Sequence, residues 1–288
     1  MWALNGTVSK GLLDTGISAM RLSQLRVSAA WLILVVVIVL TNRAAFRIRS
    51  KHEFLLMAMY GLLGVTMTQW LYFVAIHLLP VGVALVLELT APLMVAIWVK
   101  FAWSHHVPRL TWLGLSIALT GLTFITEVWT GFTLNLLGVA AALGAAAALA
   151  IYYVVGEKVL HQPEPRDPLS LTMWGFAFAT AFWALFQPWW SFPWQYLEGT
   201  YEYNDNLELS RYAMVAFMIL IGTVIPFWLS LKAMQFINSQ QASAMGLTEP
   251  VLATTVAWIV LGEILSGLQI LGIAVTLLGI SLAEWARK

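Results

Sequence analysis

The chain has 288 residues, 60% of them hydrophobic and only 10% charged, with a formal net charge of +1 and no cysteine. Soluble domains run near 25% charged, so this balance, with a mean hydropathy of +0.82, places the chain in a lipid bilayer. The near-zero net charge argues against a nucleic-acid partner, and the missing cysteines exclude disulfides and thiolate metal sites.

In chain order, a short apolar stretch from Met1 to Ser9 comes first. Longer runs follow at Trp31 to Leu40, Phe54 to Ile76, Val81 to Val99, Leu110 to Ile125 and Leu134 to Val155. Leu169 to Phe186, Tyr212 to Leu231, Ala242 to Leu261 and Leu268 to Leu282 complete the series. Each of the longer runs matches or approaches the roughly 20 residues that a helix needs to cross the hydrocarbon core. They lack period-2 alternation and are too long for strands, which excludes a closed barrel. The reading is an all-α membrane protein of ten transmembrane helices, with no soluble domain of useful size.

The basic residues alternate between connections. Arg43, Arg47, Arg49 and Lys51 follow the second helix, and Lys100 and Arg109, with His105 and His106, lie between the fourth and fifth. Lys158 and Arg166 lie between the sixth and seventh, and Arg287 and Lys288 end the chain. The positive-inside rule puts these in the cytoplasm, C-terminus included, with the plasma (inner) membrane as the location. The intervening connections are neutral or acidic, as in Gln187 to Arg211; Lys10 and Arg21 are the exceptions. Trp183, Trp189, Trp190 and Trp194 gather at the outer end of the seventh helix, where indoles favour the headgroup layer.

Residues 58 to 122 align without a gap on residues 216 to 280, at a constant offset of 158, with 15 of 65 pairs identical. The special residues coincide: Gly64 with Gly222, Trp70 with Trp228, Thr90 with Thr248, Pro92 with Pro250, Gly114 with Gly272 and Gly121 with Gly279. The chain is therefore a duplication, with copies expected at residues 1–128 and 134–284. Five helices per copy is an odd number, so the second copy enters the membrane from the opposite side. Inverted repeats of this kind are typical of secondary transporters, with the substrate site near mid-depth. Matching Lys10 to Lys158 makes the first helix incomplete: at 1.5 Å per residue, Met1 to Ser9 covers about half a bilayer. A start codon assigned too late and a genuine stub are the two explanations, and in-frame apolar codons upstream of Met1 separate them.

Two ionisable residues stand well inside their helices. Glu88 lies about seven residues, or 10 Å, into the fourth helix, and Glu249 about nine residues into the ninth. A charge at such depth costs roughly 2.5 to 3.5 kcal/mol on insertion scales. Proton coupling or recognition of a substrate ammonium is the functional reading, and a neutral carboxyl bonded to a neighbouring helix the bland one. Pro92 leaves the carbonyl of Glu88 without its donor, and Pro250 does the same to Gly246, the position equivalent to Glu88. These hinges, with Thr90 and Thr248, read either as a cavity lining or as packing kinks.

Gln69, Trp70 and Tyr72 in the third helix, Trp228 in the eighth, Tyr152 with Tyr153 in the sixth, and Asn5 are further candidates for substrate contact, each with ordinary packing as its alternative. The Ala140 to Ala150 run and the paired glycines read as close helix packing. His105 and His106 read as a solvated loop. The sequence carries no Walker motif, nucleophile elbow or zinc spacing, so no cofactor or metal is expected.

Val81 to Leu93, which contains Leu-Glu-Leu-Thr-Ala-Pro-Leu, and Gly246-Leu-Thr-Glu-Pro with Leu261-Gly-Glu-Ile-Leu resemble the EamA repeats of the drug/metabolite transporter superfamily. The first stretch is most similar to the threonine/homoserine exporter branch. The resemblance covers essentially the whole chain and implies ten helices, cytoplasmic termini and export of small metabolites, often in exchange for protons. It carries over Glu88, Pro92, Glu249, Pro250 and Glu263, the last as a capping or orienting residue. The incomplete first helix departs from the pattern. The expectation is a proton-linked exporter of small polar metabolites, amino acids foremost, rather than an enzyme. Its partners are a small-molecule substrate, the lipid bilayer and protons, with a homodimer left open. A multidrug or aromatic-compound exporter is the alternative, and an intramembrane enzyme using the carboxyls is a more distant one.

Overall fold

The computed structural model describes residues 2–129, 135–204, 207–261 and 265–286. Among them, eight helices are long and apolar enough to cross a membrane. They are α2 (Ala19–Thr41), α3 (Lys51–Leu78), α4 (Val81–Phe101), α5 (Arg109–Thr126), α6 (Leu136–Leu160), α7 (Pro168–Phe186), α8 (Arg211–Ala233) and α10 (Gly267–Trp285). The shorter α1 (Trp2–Asp14) and the two-piece α9 (Ser239–Gly246 and Thr248–Leu261) bring the total to ten. Glu263, named by the family resemblance, falls outside the described residues.

The duplication is visible in the backbone. Helix α4 breaks between Glu88 and Ala91, and α9 breaks at Leu247, the position equivalent to Leu89. Helices α3 and α8 each contain a widened, π-type turn, Met59–Thr66 and Leu220–Val224, and the two end at equivalent residues. Such turns carry one residue more per hydrogen-bonded ring than an α-turn and recur at functional sites.

The chain packs as two compact units, Met1–Leu62 with Val159–Ala233 and Leu63–Lys158 with Met234–Lys288. Each draws on both repeats. In the second unit, α5 and α10 touch backbone to backbone. A Cβ on Gly114 would sit 2.7 Å from the carbonyl of Gly279, and one on Gly121 would sit 2.7 Å from that of Gly272. The contact is self-complementary: the first glycine of one copy meets the second glycine of the other. Contacts in which one helix advances as the other recedes are antiparallel, so this packing is that of an inverted repeat. Small residues suit it because lipid supplies no hydrophobic force between helices, and close approach maximises dispersion. The same unit has a small-residue core in which Ala75, Val83, Ala84, Ala141 and Ala142 let α3, α4 and α6 approach.

The first unit uses polar ties instead. Arg166, just before α7, is buried and donates to Glu53 Oε1 at 2.7 Å, Ser170 Oγ at 3.0 Å, and the carbonyls of Arg47 and Ala45. The second Glu53 oxygen accepts from the Arg49 amide at 2.7 Å. At the opposite end of the α2/α7 pair, Arg21 donates to Gln24 Oε1 at 3.0 Å, the Pro188 carbonyl at 3.1 Å and Ser191 Oγ at 2.7 Å. These bonds account for Arg21, an exception to the charge alternation: its place is fixed by protein acceptors.

The connection from α7 to α8, which residue order shows only as a polar link, holds a short antiparallel hairpin, β1 (Thr200–Asn204) with β2 (Leu207–Ser210). Tyr201 donates from it to Asp14 at 2.9 Å, and this bond, made by the neutral phenol, raises the Tyr201 pKa. Of the tryptophan group, Trp190 is 91% exposed and Trp194 half-exposed, but Trp183 is only 2% exposed and belongs to the core. It faces inward one turn before the helix end, a distinction that composition does not make. His105 and His106 are exposed, as expected of a solvated loop.

Candidate functional site

The two helix breaks share one local design. A proline has no N–H and its ring clashes with the carbonyl four residues back, so the helix cannot continue through it unaltered. Leu89 and Thr90 take ψ of 5° and −6°, and Leu247 takes −12°, each well off the helical value. The Thr90 hydroxyl donates to the Leu87 carbonyl at 2.6 Å, and the Thr248 hydroxyl to the Met245 carbonyl at 2.6 Å. These are equivalent bonds, and they use the proton of each threonine to close the first helical piece. What the hydroxyls offer a ligand is therefore acceptor capacity only. Pro92 and Pro250 are themselves buried.

The chemistry around these twin breaks differs. Glu88 ends the first piece of α4, and Glu249 opens the second piece of α9. Both are partly buried, and Glu88 is within coulombic reach of Glu249. Two tyrosines complete the group: Tyr72 of α3 and Tyr153 of α6 each sense both carboxyls. The Tyr153 hydroxyl lies 3.0 Å from where a Cβ on Gly246 would be, so the glycine leaves room for it at the break. Tyr152 packs edge-on against Tyr153, with centroids 5.1 Å apart. Five residues of the second unit, drawn from four helices, thus form one carboxyl–phenol cluster.

The remaining sequence candidates fall as follows. Gln69 and Trp70 lie on α3 close to Tyr72, and the Gln69 Oε1 is buried without a partner among the described residues. Asn5 and Trp228 belong to the first unit. Trp228 receives the Lys232 ammonium over its ring at 5.1 Å. Asn5 is buried, and its side chain fills the space beside Gly222, in the widened turn of α8. In the second unit, Tyr152 sits on Gly64 of α3 in the same way, a Cβ there lying 2.9 Å from the Tyr152 Cα. These matching contacts set Asn5 in the place of Tyr152, one residue from the register that aligning Lys10 with Lys158 gives.

Residue order makes Tyr152 and Tyr153 joint candidates, and helix rotation brings Tyr153 within reach of both carboxyls. Arg26, which the charge pattern of the connections leaves out, lies seven residues inside α2 (Ala19–Thr41).

Two broken helices at equivalent positions, an antiparallel glycine-packed helix pair and intramembrane carboxyls define a multi-pass membrane protein of the inverted-repeat transporter class. The chain belongs to the EamA-like transporter family, which matches residues 1–127 and 136–285. It is similar to the uncharacterized transporter YdfC of Bacillus subtilis, at 27% identity over 199 residues. That match covers 69% of this chain and 61% of YdfC, so it spans about three fifths of that relative. The threonine/homoserine exporter RhtA of Salmonella typhimurium is 26% identical over 231 residues, 78% of this chain and 69% of RhtA. The Escherichia coli K12 RhtA is 24% identical over the same span. One crystal structure shares the fold with a TM-score of 0.76 at 17% identity, covering 99% of this chain and 93% of that one.

Proposed function

We propose that the protein is a secondary transporter that exports small polar metabolites, amino acids foremost, by proton-linked alternating access. The carboxyl pair carries the proposal. Glu88 and Glu249 stand at the breaks of two helices and sense one another's charge. Two like charges in a poorly solvated site cannot ionise independently, so their protonation is linked. A substrate ammonium can replace a proton there, which couples the movement of one to that of the other. Tyr72 and Tyr153 supply hydroxyls beside the carboxyls, and Thr90, Thr248 and Gln69 supply acceptors. Trp70 and Tyr152 shape the path, Asn5 and Trp228 are candidate contacts of the first unit, and Pro92 and Pro250 act as hinges between inward-open and outward-open states. On this reading the protein lies in the bacterial inner membrane with its C-terminus in the cytoplasm. The similarity to RhtA supports amino acids as substrates.

The tyrosines and tryptophans around the carboxyls also suit aromatic amines, so a multidrug or aromatic-compound exporter is the second reading. The test is reconstitution in proteoliposomes under an imposed pH gradient, with a panel of amino acids and aromatic amines. Gradient-driven amino-acid flux that Glu249→Gln and Glu88→Gln each lower by roughly a hundredfold is the expected result. Undiminished coupled flux in both variants would remove the carboxyls from the mechanism.

A further inference from the structure

The seam between α2 and α7, inside the first unit, is polar over one half, and the proposed mechanism does not use it. Two hydrogen bonds set its register. The Gln24 side chain donates to the Gln187 carbonyl at one end, and Arg166 donates to that of Ala45 at the other. Ala45 lies 21 residues after Gln24, and Arg166 lies 21 residues before Gln187, so the two antiparallel segments stay level between these bonds. Gln24 is thus level with Gln187, Ser28 with Trp183 and Trp31 with Thr180. The next two levels are Val35 with Phe176 and Ile38 with Met173. On each helix these positions recur every four or three residues, which keeps them on one face.

The first three levels hold five polar atoms that are buried without a hydrogen-bond partner among the described residues: Ser28 Oγ, Trp31 Nε1, Thr180 Oγ1, Trp183 Nε1 and Gln187 Oε1. Polar side chains that only fasten membrane helices together bond to one another. Ser28 and Trp183 share a level and do not, and neither do Trp31 and Thr180. Buried polar groups are nearly always satisfied, so the five call for a partner of their own. Their chemistry states which kind. The two indole N–H groups only donate, the amide oxygen only accepts, and the two hydroxyls do both. None of the five groups carries a charge, so the set suits a neutral partner that donates and accepts. Successive levels are roughly 6 and 4.5 Å apart along the helices, and two hydrogen bonds in series through one water span about 5.5 Å. Beyond Gln24 the seam meets solvent, where Arg21 Nη2 donates to the Ser191 hydroxyl at the exposed surface. Beyond Trp31 it is closed by apolar side chains, with Ile38, Phe176 and Met173 all buried.

We infer that the α2/α7 seam binds a file of water molecules from the Arg21–Ser191 surface to the level of Trp31 and Thr180, and is dry beyond it. Trp31 is 12 residues into the 23-residue α2, so the file ends near mid-depth. In the orientation proposed above, the first unit is hydrated from the outer face and sealed toward the cytoplasm. The inference goes beyond the export reading and does not depend on it.

The experiment is radiolytic footprinting of the purified full chain in lipid nanodiscs. X-rays split water into hydroxyl radicals, and mass spectrometry reads oxidation at each side chain. Radicals made from bound water react where they form, so a buried side chain is oxidised only where water touches it. Trp183 and Met173 are each 2% exposed, and both residue types oxidise readily, so the pair separates a wet level from a dry one. The expected result is oxidation of Trp183 at least about fivefold faster than that of Met173. A scavenger of bulk radicals should suppress oxidation of the exposed Trp190 and leave that of Trp183. Combining Ser28→Ala with Thr180→Val should slow oxidation of Trp183 by about threefold or more while Met173 stays slow, which reports an intact seam. The wild-type comparison stands on its own if that variant proves unstable. Slow oxidation of Trp183 and Met173 alike overturns the inference, because the seam is then dry throughout. Fast oxidation of both overturns the one-sided path, and an unchanged Trp183 rate in an intact double variant overturns the part given to the hydroxyls.

Discussion

The break in α4 and the break in α9 have one backbone and two chemistries. Each ends its first helical piece with a leucine near ψ of zero, a threonine hydroxyl on the carbonyl three residues back, and a buried proline two residues later. Yet Glu88 has Gly246 as its equivalent, and Glu249 has Ala91. Duplication preserved what the chain needs in order to bend. It did not preserve the groups that would bind or carry a proton. On the proposed reading, the paired hinges would supply the two conformations that alternating access needs, and the unpaired carboxyls would give each acid its own surroundings.

The difference between the two breaks is largest at the carboxyls. Glu249→Gln and Glu88→Gln should each lower pH-gradient-driven flux by roughly a hundredfold, the scale of losing a positioned proton carrier. Retention of coupled flux in either variant would mean that one break is only a packing kink. The scaffold offers a second approach. Gly114→Ala and Gly272→Ala are equivalent changes on the two sides of the α5/α10 contact and should destabilise alike, by about 1 to 3 kcal/mol as overpacking. Unequal losses in thermal unfolding would show that the symmetry of the contact is superficial. Smaller still, Thr90→Val and Thr248→Val each remove one hydroxyl bond and should each cost about 0.5 to 1.5 kcal/mol. If the α9 variant alone lost transport, its hydroxyl would be a substrate contact rather than a local cap.

Much of this was readable from residue order. Proline at a fixed offset, beside threonine, fixes a helix break because the missing N–H and the ring clash are local facts. The glycine pairs were readable as close packing for the same reason. The widened turns of α3 and α8 were not, since no residue type demands them. They carry Gly64 and Gly222, on which Tyr152 and Asn5 seat. Helix rotation likewise decided which of two adjacent tyrosines reaches the carboxyls, and turned Trp183 into the core. Arg21 departs from the charge alternation because two of its three acceptors, Pro188 and Ser191, lie 167 and 170 residues away in the chain.

The most direct test is proton exchange on substrate binding, followed by calorimetry in two buffers of different ionisation enthalpy. The ligand is the amino acid of highest flux, and the proteins are wild type, Glu88→Gln, Glu249→Gln and the double variant. If the two carboxyls act as one linked pair, wild type exchanges protons on binding, each single variant loses that exchange, and the double variant is no worse than either single one. Full proton exchange in either single variant, or losses that simply add, would contradict the account.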